Sequence, residues 1–155
     1  MMQSIGRGGV PAAACLALAM LAQSASASSP EDVQAFVKEA LDHIHSIGKE
    51  QAFADFSRPN GGFVRDDLYI FCQAADGTVV AHGGNPAIVG RNFGNVLDPD
   101  GKAPNRELNR VGLTYGQGWV HFKWPNPVTK KVQPKSAWVV KVDDETVCGS
   151  GYYHD

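Results

Sequence analysis

Arg91 stands in Val89-Gly90-Arg91-Asn92 and Lys135 in Pro134-Lys135-Ser136, two cations set in bends marked by glycine or proline. A guanidinium offers a rigid fork matched to a carboxylate, and a neighbouring glycine lets backbone approach a ligand. The commoner fate of a loop arginine is the surface, and a lysine at a strand end can simply snorkel to water. Near them lies Trp119-Val120-His121-Phe122-Lys123-Trp124, ended by Pro125-Asn126-Pro127. Indoles, a histidine and lysines in one short stretch suit a polar small molecule held against aromatic walls. Read as a strand, this stretch puts Trp119, His121 and Lys123 on one face and Val120, Phe122 and Trp124 on the other. The second set, being more apolar, is expected to cover the long N-terminal helix, which turns the first toward the long loop, where a ligand could sit. The alternative leaves His121 and Lys123 solvated while Trp119 caps the core. Tyr69 either gives its hydroxyl to a pocket or fills the core with its ring.

Other chemistries find little support. No nucleophile elbow, phosphate-cradling loop or zinc signature is present, and no spacing pairs a base with a nucleophile. The five histidines are scattered; His43 and His45, two apart on a predicted helix, cannot share a face. Asp98-Pro99-Asp100-Gly101 lacks the further acids and closing glutamate of a calcium loop and is read as a turn. The expectation is a protein that is not an enzyme and needs no metal or cofactor.

The elements that must position these residues are legible from periodicity. Ser29-Pro30-Glu31-Asp32 starts a helix by composition: hydroxyl cap, proline in the first turn, acids at the positive end of the dipole. Val33, Phe36, Val37, Ala40, Leu41, Ile44 and Ile47 then form one apolar stripe. Gly48 breaks or bends it, and Ala52, Phe53 and Phe56 continue a shorter helix. Five antiparallel strands follow: Leu68 to Ala74, Gly77 to His82 across an Asp76-Gly77 turn, Gly118 to Trp124, Ala137 to Val142, and Thr146 to Tyr153. Residues 83–115 read as a long loop with one short helix near Arg106 to Val111. A connection of that length is usually a lid or binding loop.

Residues 1–27 read as a cleavable leader. Met1 to Gly9 carries Arg7 and no acid, Val10 to Ala22 is almost purely apolar, and Ala25-Ser26-Ala27 offers a signal-peptidase site. The apolar run is shorter than the roughly 20 residues needed to span a bilayer, and Cys15 lies too early in it for lipoprotein processing. Cleavage after Ala27 would release a periplasmic or secreted domain of residues 28–155, a usual single-domain size. Fourteen bases face sixteen acids, a formal charge of −2; loss of Arg7 makes this one unit more negative. Only Lys130-Lys131 are adjacent bases, so no basic face for nucleic acid is written here.

The ordered series Asp67-Leu68-Tyr69-Ile70-Phe71, Asp76-Gly77-Thr78-Val79-Val80-Ala81-His82, Asn85-Pro86, Val89-Gly90-Arg91-Asn92 and Asp98-Pro99-Asp100-Gly101-Lys102 resembles single Cache domains of the sCache_2 type. These are the extracytoplasmic PAS-like sensor modules of bacterial chemoreceptors and sensor kinases. Gly118 to Pro127, Pro134-Lys135-Ser136 and Gly149 to Tyr153 extend the likeness over nearly all of the chain after residue 30. The resemblance implies an α+β fold, a long N-terminal helix packed on a five-stranded antiparallel sheet, and a histidine at His82. It also implies that the strands of Cys72 and Cys148 lie side by side. In an oxidising compartment that favours a disulfide; the alternative is two buried thiols. The modules it resembles sense small organic acids such as acetate, propionate, pyruvate or lactate. The implied ligand site comprises Tyr69, His82, Arg91, Trp119, His121 and Lys135, with a carboxylate held by Arg91 or Lys135. With the helix starting at the cleavage site and the chain ending soon after the last strand, the expectation is a stand-alone sensor. It would act through a separate membrane sensor or transporter and could dimerise through its N-terminal helix. The other reading is a structural or interaction module with a degenerate pocket on the same scaffold.

Overall fold

A computed structural model describes residues 28–154; the expected leader and its cleavage site lie outside them. Helix α1 (Pro30–Ile47) begins with a reciprocal cap, in which Ser29 Oγ accepts from the Asp32 amide and Asp32 accepts from the Ser29 amide. It buries Val33, Phe36, Val37, Ala40 and Ile44 as one stripe. Gly48 follows at φ 86°, a conformation that side chains disfavour, and turns the chain into α2 (Lys49–Phe56). After a two-stranded ribbon, β1 (Val64–Arg65) and β2 (Leu68–Tyr69), come β3 (Phe71–Ala74), β4 (Val79–His82), a 3₁₀ turn (Pro86–Ile88), α3 (Pro104–Tyr115), β5 (Gln117–Pro125), β6 (Val132–Asp143) and β7 (Thr146–Tyr153). The sheet order is β4-β3-β7-β6-β5, with all pairs antiparallel. The chain is thus α+β, with its long helix on a five-stranded antiparallel sheet.

Two details depart from the sequence reading. The first expected strand is split at Ile70, because Leu68 and Tyr69 pair with β1 whereas Phe71 onward joins the main sheet. Helix α3 has 12 residues and is the second cover of the sheet. At Gly112 an added Cβ would come within 2.6 Å of Val147 Cγ1, so a glycine there permits the close contact between α3 and β7.

This second cover reverses the expected facing of β5. Both sheet faces are apolar because both are covered. On the α1 side Trp119 packs with Trp138 and Tyr152 beside Cys72 and Cys148. On the α3 side Val120 and Phe122 join Leu108, Val111, Val139 and Val147, with Trp124 against them. Cys72 faces Cys148 in register on the two central strands, with Cα atoms 4.1 Å apart, and the two are bridged. A loop of 76 residues closed in this way stabilises the fold by about 4 kcal/mol in the chain-entropy description.

Candidate ligand-binding site

Register decides which side chains meet. In β6, Lys135 lies opposite Phe122 of β5 and Tyr153 of β7, so all three project to the α3 side. Lys135 is only 2% exposed. Its Nζ sits 3.9 Å from the centre of the Tyr69 ring, 4.7 Å from that of Tyr153 and 5.7 Å from that of Phe71. It donates to Tyr153 Oη at 3.4 Å. Among the described residues, no carboxylate forms an ion pair with it. Burial lowers its pKa to about 7, opposed by the charge of Asp67.

The two tyrosines form a directed chain. Tyr153 Oη gives its single hydrogen to the Pro125 carbonyl at 2.8 Å. It must therefore accept from Tyr69, whose hydroxyl is 3.1 Å away. Burial pushes both phenols above their ordinary range. Both hydroxyls are neutral at any physiological pH.

His82 supplies the opposite wall. Its Nδ1 accepts the Asn85 amide hydrogen at 2.8 Å, which leaves the ring proton on Nε2. Burial, reinforced by the nearby Lys135 charge, lowers its pKa to about 3. It is thus a neutral N–H donor, its ring centre 4.8 Å from that of Tyr69. The Gly83-Gly84 bend brings backbone across this wall: a Cβ at Gly84 would fall 2.6 Å from the Tyr69 ring. Asn85 Oδ1 then caps the 3₁₀ turn through the Ala87 amide, which places Ile88 over the cavity.

Between these walls lies a tight cavity of about 20 Å³, room for little more than one water. Val79, Ile88, Leu108 and Phe122 make it apolar, and Gln73 and Asn105 add amides at its floor. Gln73 Nε2 donates to Asn105 O at 2.6 Å and Asn109 Oδ1 at 2.7 Å, tying the floor to α3. Tyr69, His82, Ile88 and Trp124 also border a wider outer bay rimmed by Phe93, Leu97 and Val132. One side of the bay is fixed by Asp98, which accepts from the Asp100, Lys102 and Lys123 amides at 2.9, 2.9 and 3.0 Å. Burial opposes the charge of Asp98, but those amides outweigh it and hold the carboxyl below its usual range.

The structure brings Tyr69, His82 and Lys135 together, and it separates Arg91, Trp119 and His121 from them. Arg91 is exposed and does not line the cavity; its carbonyl accepts from Val79 and the Gly90 amide donates to Val79, so this segment is pinned as an edge to β4. Trp119 belongs to the α1 face, where it packs with Trp138 and Tyr152. His121, also exposed, is on that face with its Nδ1 2.8 Å from Ser136 Oγ, which in turn lies 2.7 Å from His154 Nε2. The expected convergence of Arg91, Lys135 and Trp119 on one cavity therefore does not occur. Gln73, Phe122 and Trp124 also line the cavity and Tyr153 encloses the amine, although the sequence pattern points Phe122 and Trp124 toward the long helix and gives no signal for the other two. Strand parity with Lys135 would have pointed to Tyr153 and Phe122 had the β6–β7 register been known.

A helix-backed, PAS-like sheet with a small, mostly apolar cavity on its other face, and a buried lysine in its wall, is the architecture of a ligand-holding module. Residues 13–155 match the sequence profile of Single Cache domain 2, and the chain belongs to that family. Cache domains are the extracytoplasmic sensing and ligand-binding modules of chemoreceptors and sensor kinases, sensory parts of those proteins and not their catalytic parts. Over 90 residues the chain is 32% identical to the sensor histidine kinase MctS of Rhizobium johnstonii (strain DSM 114642 / LMG 32736 / 3841), covering 57% of this chain and 19% of the kinase. The chain thus spans about a fifth of that relative's length. The fold is shared with a methyl-accepting chemotaxis protein from Vibrio parahaemolyticus RIMD 2210633 (TM-score 0.72, 20% identity, 81% of this chain and 88% of the other). It is also similar to a periplasmic sensor domain of a chemotaxis protein (TM-score 0.63, 25% identity, 81% and 90%). A third likeness is to a Cache chemosensory domain described for carboxylic acid recognition (TM-score 0.68, 22% identity, 81% and 92%). Among the described residues no helix is long and apolar enough to cross a membrane.

Proposed function

We propose that this domain senses a short organic acid of the acetate, propionate, pyruvate or lactate type, whose carboxylate is anchored by Lys135. The observation that carries this reading is a fully buried lysine, in no ion pair among the described residues, on the wall of a small cavity. An isolated buried ammonium is costly, and an incoming anion relieves that cost. Tyr69 and His82 complete the site in this reading: the imidazole donates through Nε2–H and the tyrosine ring forms a wall. Phe122, Ile88 and Leu108 surround the short apolar tail. The related domain described for carboxylic acid recognition supports the same ligand class.

In the same reading residues 1–27 are removed after Ala27, and the exported domain reports through a separate membrane sensor or transporter. Helix α1 is the element through which two copies would pair, and no catalytic role is assigned. Calorimetry with a panel of short monocarboxylates tests the ligand class, with Lys135→Met as the control. Heat from at least one acid, abolished in the variant, is the expected result; no heat from any of them refutes the reading.

A further inference from the structure

Lys135 has a second capacity that anion binding does not use. Its amine is enclosed by the rings of Tyr69, Phe71 and Tyr153, and its one hydrogen bond among the described residues is a long 3.4 Å contact to Tyr153 Oη. The titratable groups nearest it are the Tyr69 hydroxyl from β2, the Tyr153 hydroxyl from β7 and the His82 imidazole from β4. Asp67 in the β1–β2 turn acts on it only through its charge. None of these three groups is charged at neutral pH, so none of them forms an ion pair that fixes the proton on nitrogen. A lysine desolvated in an apolar pocket is an activated nucleophile, and the cavity it lines opens to an outer bay past Tyr69 and Trp124.

We propose that Lys135 captures small carbonyl compounds, above all the shortest 2-oxo acids, as a reversible imine. The neutral amine adds to the carbonyl carbon, forming a C–N bond while the C=O pair moves to oxygen. The nitrogen passes one proton to that oxygen, and a proton from solvent releases it as water. An iminium remains, so positive charge stays beside the carboxylate of the captured acid. The His82 Nε2–H on the facing wall is a donor for that carboxylate. No oxidant or further reactant is needed. The lowered proton affinity of Lys135 supports the chemistry by keeping much of the amine free near pH 7.

This inference rests on the reading that the cavity holds a small polar ligand, and the test separates the two. Purified protein is mixed with glyoxylate and sodium cyanoborohydride at pH 7, and the modified lysines are mapped by peptide mass spectrometry. An ordinary lysine is only about 0.04% neutral at that pH. The Lys135 peptide should therefore be modified roughly tenfold or more faster than surface lysines such as Lys38 and Lys131, and acetate, which has no aldehyde or ketone group to form an imine, should protect it. Unfolding in urea should abolish the preference. Labelling spread evenly over the lysines, or a preference that survives unfolding, overturns covalent capture. If acetate binds by calorimetry while Lys135 stays unlabelled, the anion site stands and the imine does not; if neither occurs, both readings fail.

Discussion

Replacing Lys135 by Met should raise the stability of the ligand-free protein while removing its response to small acids. In the fold the amine titrates near 7, against 10.5 for an ordinary lysine. At about 1.36 kcal/mol per pH unit, that difference sets an upper limit of about 5 kcal/mol on the cost of burying the charge. Cation–π contact with Tyr69 and Tyr153 is also lost in the variant, and Met fits a similar volume but not the same shape. A net gain of about 2–4 kcal/mol at pH 6 is therefore expected. The pH dependence follows from linkage. Because the folded-state pKa is depressed, the unfolded chain binds more protons between about pH 7 and 10.5. The penalty is complete below 7 and fades as pH rises through that window. Urea unfolding of both proteins at half-unit steps from pH 6 to 9 would show the advantage of the variant shrinking by about 1.4 kcal/mol per unit above 7. Comparison of the two chains removes the contribution of every other group that titrates alike in both. A variant no more stable than its parent at pH 6, or an advantage that does not change with pH, would refute the picture of Lys135 as an unpaired buried amine.

The same residue predicts how affinity varies with pH. Above about 7 a carboxylate must bring a proton back to Lys135 when it binds, so Kd should rise about tenfold per pH unit, with proton uptake visible as buffer-dependent heat in calorimetry. Arg91→Ala should leave affinity for short acids unchanged, since Arg91 is exposed and absent from the cavity wall; a tenfold loss would return it to the site. Trp119→Ala should also spare affinity while lowering stability by about 2–4 kcal/mol in denaturant melts, because the indole fills the α1 side with Trp138 and Tyr152. Asp98→Asn turns one acceptor oxygen toward the Lys123 amide into a donor and should cost about 1–3 kcal/mol at pH 7. Because the carboxyl is held below its ordinary 3.8, the difference from the parent should persist above that value and vanish as pH falls through the lower folded-state pKa.

Much of the scaffold could be read from local chemistry. Ser29-Pro30-Glu31-Asp32 specified the start of α1 because a cap needs only neighbouring residues, and the stripe from Val33 to Ile44 specified the face that α1 buries. The positions of the five main strands along the chain were legible from their alternation and turn residues. Helix α3 was underestimated because its buried face includes Asn105, Asn109 and Gly112, polar or small residues that blur an amphipathic pattern. Asn109 is there for a tertiary reason: its amide donates to the Ala74 and Ala75 carbonyls across the layer.

The site divided along the same line. The sequence by itself determined α1, α2 and the five main strands, the kinds of side chain available and, through the family resemblance, Tyr69, His82 and Lys135 as candidates. Only the tertiary structure decided which sheet face lay toward the cavity. Strand alternation sorts Trp119 from Val120 but carries no sign, and the sign came from α1 and α3 each claiming one face. The depth of Lys135 was likewise settled by Tyr69, Phe71 and Tyr153, which come from three different strands and enclose its amine only once those strands are laid side by side.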